Sequence, residues 1–365
     1  MSARPFRPGF VTILLGLAAT GCGDPVLVLG DAPGIMRRVA GVPDSAGIGV
    51  GETALTSRLS EPRAIAVDGA GTVFVASFAG RAVQRFMPGG DLEVVAGTAS
   101  CVAELCLDRP VGLAPDGLGG IYVSDQANDA IFRLDPADGS LALVAGNGER
   151  GVSVDGSPAA GSQIAAPTGL ALDGSGRLYF AESAAGLVRR IESDGTLATV
   201  AGSGVRGSDG DGGPATEASL GSPSGLALGG GVLYVADVAE HRVRGVDLET
   251  GTIDAVAGSG DAGFGGDGGT ATAALLDSPH ELALGPDGTA LFIADSGNDR
   301  VRRVLLGAGT ITTFAGNGAD AFAGELLPAG DTPLAGPRGL AVTSEGRLFI
   351  ADTDRHIIWR TTIER

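Results

Sequence analysis

The sequence predicts an all-β fold, a six-bladed β-propeller with four-stranded antiparallel blades, and three observations support this prediction. The 365-residue chain contains 63 Gly but only three Met and one Trp, a composition typical of short strands joined by tight turns. A single pattern built around a proline occurs six times along the chain. The strand that the last repeat lacks is found near the N-terminus, so the ring of blades closes on itself.

The repeat consists of an apolar residue, a Pro three residues later, an apolar segment, a Gly-containing turn and a second apolar segment that ends in an acidic residue. The six copies are LSEPRAIAVDGAGTVFVAS, LDRPVGLAPDGLGGIYVSD, IAAPTGLALDGSGRLYFAE, LGSPSGLALGGGVLYVAD, LDSPHELALGPDGTALFIAD and LAGPRGLAVTSEGRLFIAD. Their prolines are Pro62, Pro110, Pro167, Pro223, Pro279 and Pro337. Because these units fill the chain at regular spacing, we expect one repeat domain and no second domain.

Each unit is predicted to hold four strands. After the two strands in the shared pattern come a third and a fourth apolar run, such as RVRRVLL and TITTFAG in the fifth unit, separated by a glycine turn. The Pro opens the first strand, where its missing N–H is tolerated.

Ring closure follows from the two ends of the chain. The sixth unit stops at Arg365 after its third strand, and the N-terminal segment IMRRVAG, from Ile35 to Gly41, matches the VAG ending of the fourth strands. A strand from the N-terminus would complete the last blade and protect its open edge.

These repeats resemble the NHL-repeat family of propellers, whose units follow PxG[LV]AVD..G.[LI]Y[VI]AD..N.R[IV]. The segment from Gly339 to Asp352 is close to this pattern, whereas Phe74 to Ser77 and Ile121 to Asp125 are degenerate copies. The resemblance implies a propeller over residues 35–365. It leaves function open, because the family and related propellers include ligand-binding, scaffolding, sensor and RNA-binding domains, lyases and hydrolases.

The N-terminus has the features of a bacterial lipoprotein signal. Arg4 and Arg7 precede an uncharged stretch from Gly9 to Thr20, and the segment ending in Cys22 resembles a lipobox with Ala19 where Leu is usual. We predict a signal peptide at 1–21, a lipid anchor on Cys22 with a short linker at 22–34, and the propeller at 35–365. An ordinary signal peptide cut near Gly21 is the alternative. Asp24 is not directly after Cys22, which favours the outer membrane.

The net charge and the cysteines bear on nucleic-acid binding and on a possible disulfide. The formal net charge of −18 disfavours nucleic acid, whose binding depends on neutralising phosphates. Cys101 and Cys106 lie close together in one predicted loop, and in an oxidising compartment they are expected to form a disulfide, with metal binding as the alternative. We expect no cofactor and a monomeric protein.

Long Gly/Asp-rich inserts precede the third, fourth and fifth repeats. They could be functional, or they could pack between blades through their closing AxxxL segments. Asp209, Asp211 and Asp267 are weak candidates for calcium ligands, since neither loop supplies the acid that normally completes a calcium loop.

Two further repeat positions carry polar side chains. The acids that end the second strands are expected to tie each blade together rather than to bind a cation; they are Asp125, Glu182, Asp237, Asp295 and Asp352, with Ser77 in the first blade. His241 and His356 share one position with Arg81, Asp129, Gly186 and Asp299, and this variety indicates a loop surface.

The remaining histidine, His280, follows Pro279 at the predicted channel mouth. With Glu281, Arg63 and Arg338 it forms our candidate ligand face. Adjacent strand residues point to opposite faces, so only one of His280 and Glu281 is expected to look into the channel.

The sequence favours binding over catalysis. In propeller lyases and lactonases that the fold resembles, several His, Asn, Asp or Glu side chains at the strand starts hold a metal, but this chain has Ala64, Gly112, Gly169, Gly225, Glu281 and Gly339 there. We predict an envelope lipoprotein, periplasmic or surface-facing, that binds a protein or glycan partner. A structural envelope protein without a discrete ligand is the first alternative, and a propeller lyase or hydrolase is a disfavoured second.

Overall fold

A computed structural model describes residues 33–49, 53–97, 106–319, 321–322 and 324–363. The predicted signal peptide, the anchor at Cys22 and Cys101 of the predicted disulfide lie outside these residues, so these interpretations stay predictions. None of the helices in the described ranges is both long enough and apolar enough to span a bilayer.

The described chain forms six antiparallel sheets in one compact unit, which confirms the predicted six-bladed propeller. The strands are β1 (Arg37–Ala40), β2 (Pro62–Val67), β3 (Val73–Ser77), β4 (Ala82–Phe86), β5 (Glu93–Gly97), β6 (Pro110–Pro115), β7 (Ile121–Asp125), β8 (Ala130–Leu134), β9 (Leu141–Gly146), β10 (Pro167–Leu172), β11 (Leu178–Glu182), β12 (Leu187–Ile191), β13 (Leu197–Ala201), β14 (Gly213–Pro214), β15 (Pro223–Gly229), β16 (Val232–Asp237), β17 (Arg242–Asp247), β18 (Thr252–Ala257), β19 (Pro279–Leu284), β20 (Ala290–Asp295), β21 (Arg300–Leu305), β22 (Thr310–Ala315), β23 (Pro337–Val342), β24 (Arg347–Asp352) and β25 (Ile357–Thr362). Short 3-10 helices span Ala215–Glu217, Ala271–Ala273, Ser296–Asn298 and Ala329–Asp331.

Blades one to five each run in chain order from an innermost strand, which begins at the repeat proline, to a fourth strand, and in blade four the two-residue β14 adds a fifth strand outside β18. Blade six has the order β1-β25-β24-β23, with Arg37 of β1 opposite Arg360 of β25. The predicted closure by an N-terminal strand is therefore present, and it pairs the edge that β25 would otherwise expose.

The six innermost strands contact one another in ring order around the axis. Glycine after the repeat proline permits this closeness: a Cβ on Gly169 would lie 2.2 Å from the backbone oxygen of Ser224 in the next blade. Each innermost strand also has a register shift directly after its proline, for example between Pro279 and Leu282. This bulge changes which side chains face the channel.

The cores lie between neighbouring blades, and the inserts contribute to them. The closing segments ATEASL and ATAALL each bury an Ala at the start and a Leu at the end, namely Ala215 and Leu220 in one insert and Ala271 and Leu276 in the next. Before these segments, the inserts run along the outermost strand of their blade; β14 pairs with β18, and Thr270 bridges Thr310. Much of the length of the inserts is thus explained by their packing between and along the blades, which was one of the two roles considered from the sequence.

Candidate functional site: the channel mouth

A cavity of about 130 Å³ lies on the propeller axis, where the innermost strands begin. It is lined by residues from all six blades: Arg63, Val111, Gln126, Thr168, Gly169, Ser183, Ser222, Ser224, Val238, His280, Glu281 and Arg338. The structure therefore brings together all four residues of the candidate ligand face predicted from the sequence.

His280 and Glu281 both line this cavity, so the expectation that only one of them faces the channel was wrong. The reason is the bulge in β19. Pro279 pairs with Asp295 and Leu282 pairs with Ile293, which leaves one extra residue on β19 and breaks the simple alternation of side chains.

His280 lies between a backbone acceptor and a guanidinium. Its Nδ1 is 2.8 Å from the carbonyl oxygen of Ser278, and its Nε2 is 3.2 Å from Nη1 of Arg338. A guanidinium can only donate, so Nε2 must accept and the proton must be on Nδ1. Burial, with the positive charge of Arg338 as a further cause, lowers the pKa of His280 to about 4, so the ring is neutral at physiological pH.

The two arginines of the site differ in their partners. Arg63 forms an ion pair with Glu61 at 3.2 Å, and its guanidinium lies 3.3 Å from the centre of the Phe78 ring. Arg338 contacts His280, and among the described residues no carboxylate lies within 4.0 Å of its nitrogens. The Nε atoms of both arginines are buried without a hydrogen-bond acceptor in the protein.

Glu281 occupies the position that four other blades fill with glycine. Its carboxyl group lies beside Gly225 of blade four and accepts the N–H of Leu282 at 3.1 Å. Burial raises the pKa of Glu281 to about 8, although hydrogen bonds from the N–H groups of Leu282 and Leu226 oppose the shift. At neutral pH the carboxyl is therefore mostly protonated and can donate a hydrogen bond.

Much of the remaining cavity wall was not predicted from the sequence to face a ligand. Gln126, Ser183 and Val238 each directly follow the acid that ends a second strand, and Ser224 and Thr168 follow a repeat proline. The position after the proline was already predicted at the channel mouth through His280, Arg63 and Arg338, and the repeat alignment could have identified the position after the acid in the same way, because it too is equivalent from blade to blade.

The acids that end the second strands are fully buried, and they tie their own blades as predicted. Asp125 accepts the N–H groups of Asp108 and Arg109 at 2.7 and 2.9 Å, just ahead of the innermost strand of its blade. Corresponding bonds are made by Glu182, Asp237, Asp295 and Asp352.

The position shared by His241 and His356 is more than a loop surface. Asp129, His241, Asp299 and His356 each accept the backbone N–H of the residue before the next blade's proline, at distances from 2.7 to 3.1 Å. We call these four contacts the inter-blade clasps. The residues they hold are Ala166, Ser278, Gly336 and Glu61, and all four have positive φ. This role could not be predicted from the residue types, because the property that Asp and His share at this position is the ability to accept a hydrogen bond from a backbone N–H group.

The calcium candidates lie beside buried arginines. Asp211 is 2.6 Å from Arg244, and Asp267 is 2.6 Å from Arg302, while Asp209 offers its backbone oxygen to Arg244 at 3.3 Å. Each guanidinium already neutralises the carboxylate that a cation would need. Within the described ranges, no three His, Cys, Asp or Glu side chains are arranged so that they could hold a metal ion.

Fold and site together define a six-bladed propeller with a polar, arginine-bearing channel mouth. The NHL repeat family model matches residues 334–360, which lie in the sixth blade of the propeller. It is 32% identical over 149 residues to Protein SUPPRESSOR OF QUENCHING 1, chloroplastic, of Arabidopsis thaliana, which is 38% of this chain and 14% of that protein. It is 31% identical over 160 residues to NHL repeat-containing protein 2 of Bos taurus, which is 38% of this chain and 22% of the relative. The matches thus span less than a quarter of either relative.

Among solved structures, an auxiliary nutrient binding protein from Bacteroides thetaiotaomicron aligns with a TM-score of 0.68. The alignment covers 89% of this chain and 75% of that chain at 14% sequence identity. At this identity the similarity shows the fold alone.

Proposed function

We propose that this protein is an envelope lipoprotein, anchored through Cys22, whose propeller is a binding module with its ligand site at the channel mouth. One observation carries the proposal. All six blades contribute side chains to one cavity, and two guanidinium groups meet there, of which only that of Arg63 has an ion-pair partner among the described residues. A ligand that accepts hydrogen bonds from these guanidinium groups would be stabilised. The similar Bacteroides structure is described as a nutrient binding protein, which agrees with such a role.

Binding at the channel can be tested with a variant that fills the cavity. Ser224→Phe places a large ring against the site, whereas Ser175→Phe adds the same ring at an exposed hairpin tip. A set of small metabolites should include compounds that raise the melting temperature of the parent and of Ser175→Phe but not of Ser224→Phe. Equal shifts in all three proteins, or no shift with any compound, would refute the channel as the ligand site.

The anchor has its own test. Intact-mass analysis of protein extracted from membranes should give an N-terminal Cys22 with added acyl mass. An unmodified protein in the soluble fraction would contradict the lipoprotein proposal and leave the channel proposal standing.

A protein partner on the insert surface is a second candidate. Val152, Val154, Val205 and Phe264 lie in the inserts before the third, fourth and fifth blades, and they are 44 to 77% exposed. Because the AxxxL segments of the same inserts are buried in the core, deleting whole inserts would damage the fold. Val154→Ser combined with Val205→Ser is the better test, and retention of the same cross-linked partners from envelope extract would exclude this surface.

A further inference from the structure

We infer that the channel mouth takes a small hydroxylated organic acid, bound through its carboxylate by Arg338 and Arg63. The inference rests on the proposed function and specifies the ligand class for the same cavity. Three features of the site support it: a guanidinium that has no ion-pair partner among the described residues, neutral groups next to it, and a wall of hydroxyl and amide groups.

Arg338 is the residue whose positive charge favours the binding of an anion. One of its amino groups donates to the neutral ring of His280, and no described carboxylate lies within 4.0 Å of its nitrogens. A guanidinium remains charged at every physiological pH, and a partly buried charge is stabilised by an ion of opposite sign. Its planar fork of donors matches the two oxygens of a carboxylate.

The neighbouring groups do not supply this anion. His280 presents a neutral ring, and Glu281 is mostly protonated at neutral pH. Glu61 is the one described carboxylate in an ion pair with Arg63, at 3.2 Å, and its side chain is 38% exposed. Asp354 influences Arg63 only as a more distant charge. Arg338 therefore brings to the cavity a positive charge that no described carboxylate within 4.0 Å neutralises, and this charge would favour an anion there.

The other side of the cavity selects hydroxyl groups. Gln126, Ser183, Ser222 and Ser224 line it, and Val111 and Val238 are the only larger apolar side chains among the lining residues. The protonated carboxyl of Glu281 adds a donor and an acceptor. A cavity of about 130 Å³ is smaller than the roughly 300–1,000 Å³ of typical ligand pockets, so it suits a small acid such as glycerate or the carboxylate end of a sugar acid.

The experiment compares matched pairs of acid and neutral compound. Binding of D-glucuronate and D-glucose, and of D-glycerate and glycerol, is measured by calorimetry with the mature protein at pH 7. We expect at least one acid to bind, and its neutral counterpart to bind at least tenfold more weakly. Inorganic phosphate is the third probe and should be weaker than the acid, because it cannot reach the polar wall.

Substitutions of Arg338 test whether this arginine binds the carboxylate of the ligand. Arg338→Met should weaken binding of the acid at least tenfold, Arg338→Lys should weaken it less, and Arg85→Met, which removes the same charge from a distant hairpin, should leave it unchanged. The melting temperature of each free variant shows whether it is folded. If Arg338→Met does not fold, the affinity of Arg338→Lys and the salt dependence of binding still show whether Arg338 contributes to binding of the acid.

The outcomes separate this inference from the proposed function. If neutral compounds bind in the channel as tightly as acids, or if phosphate binds best, the ligand class is wrong and the binding module stands. If Arg338→Met binds the acid as the parent does, the arginine has no part in recognition. If no compound binds in a manner that Ser224→Phe blocks, both proposals fail.

Discussion

Replacing Asp129 should break the clasp between blades two and three. Its carboxylate accepts the buried N–H of Ala166 at 2.7 Å, while its own backbone has a φ of +44°. Its ion pair with Arg150 contributes little, because the arginine side chain is 55% exposed. Alanine would leave the Ala166 N–H without its acceptor, at a cost of about 1–3 kcal/mol. It would also put a residue with no polar side chain in a left-handed conformation, at about 1 kcal/mol.

Three variants separate these effects. Asp129→Asn keeps an acceptor oxygen and tolerates the left-handed conformation, so we expect a loss of under about 1 kcal/mol of unfolding free energy. Asp129→Gly removes the acceptor without the conformational cost, for a loss of about 2 kcal/mol. Asp129→Ala combines both, for about 3 kcal/mol. Urea unfolding at pH 7, followed by circular dichroism, gives the free energies.

The series contains its own control, because every variant removes the same negative charge. The difference between Asn and Ala therefore reports the acceptor and the backbone, and not the loss of charge. An Asn variant as unstable as the Ala variant would refute the clasp, as would an Ala variant as stable as the parent. The native chain places Gly186 at this position in blade three, with a φ of +65°.

Four more predictions concern pH, packing, metal and closure. Folding raises the pKa of Glu182 and Asp352 to about 7, of Asp295 to about 6 and of Glu281 to about 8. The folded state thus holds these protons more tightly, so the free energy of unfolding should fall as pH rises from about 4.5 to 8. Each pH unit is worth at most about 1.4 kcal/mol per group. Glu281→Gln should flatten the upper part of this urea-midpoint profile, and an unchanged slope between pH 7 and 8.5 would contradict the raised pKa of Glu281. Gly169→Ala should cost about 3 kcal/mol because its Cβ would meet backbone, whereas Gly174→Ala, with open space around it, should be nearly neutral in the same assay. The melting temperature should not respond to millimolar calcium or EDTA, since Arg244 and Arg302 already neutralise Asp211 and Asp267; a calcium-dependent rise would show a cation site. A chain starting at residue 42 should self-associate through the uncovered edge of β25 in analytical ultracentrifugation, whereas one starting at residue 33 should not; a monomeric short chain would argue against β1 as the protecting strand.

The propeller architecture could be predicted from the sequence because the repeat is regular at the positions that begin and form the strands. Proline opens each innermost strand, apolar runs mark the others, and the VAG ending identified the N-terminal segment as the missing strand of blade six. Burial of the second-strand acids was predictable for the same reason, since their repeat position recurs with a constant chemical character.

The bulge and the clasps were harder to predict, because neither depends on one residue type. The bulge follows the proline in every blade, whether the next residues are Arg63 and Ala64 or His280 and Glu281. The clasps use Asp in two blades and His in two others. Their common feature is an acceptor aimed at one N–H group, which emerges only when the backbone is known.

The N–H before each proline bonds either to the second-strand acid of its own blade or to a clasp residue of the preceding blade, which explains why two blades lack the clasp. In blades two and four, Asp125 and Asp237 each accept two successive N–H groups, including that of the residue before the proline. The preceding blades there carry Arg81 and Gly186, neither of which can accept through a side chain. In blades three, five and six, the acid takes only the first N–H, and the peptide before the proline turns to the clasp with positive φ. Blade one has Ser77 in place of the acid and uses the clasp from His356, so in all six blades the N–H before the proline is satisfied in one of two ways, which keeps the start of the innermost strand fixed. Arg63, His280 and Arg338 directly follow these prolines, so the same bonds that join the blades also set the positions of the side chains at the channel mouth.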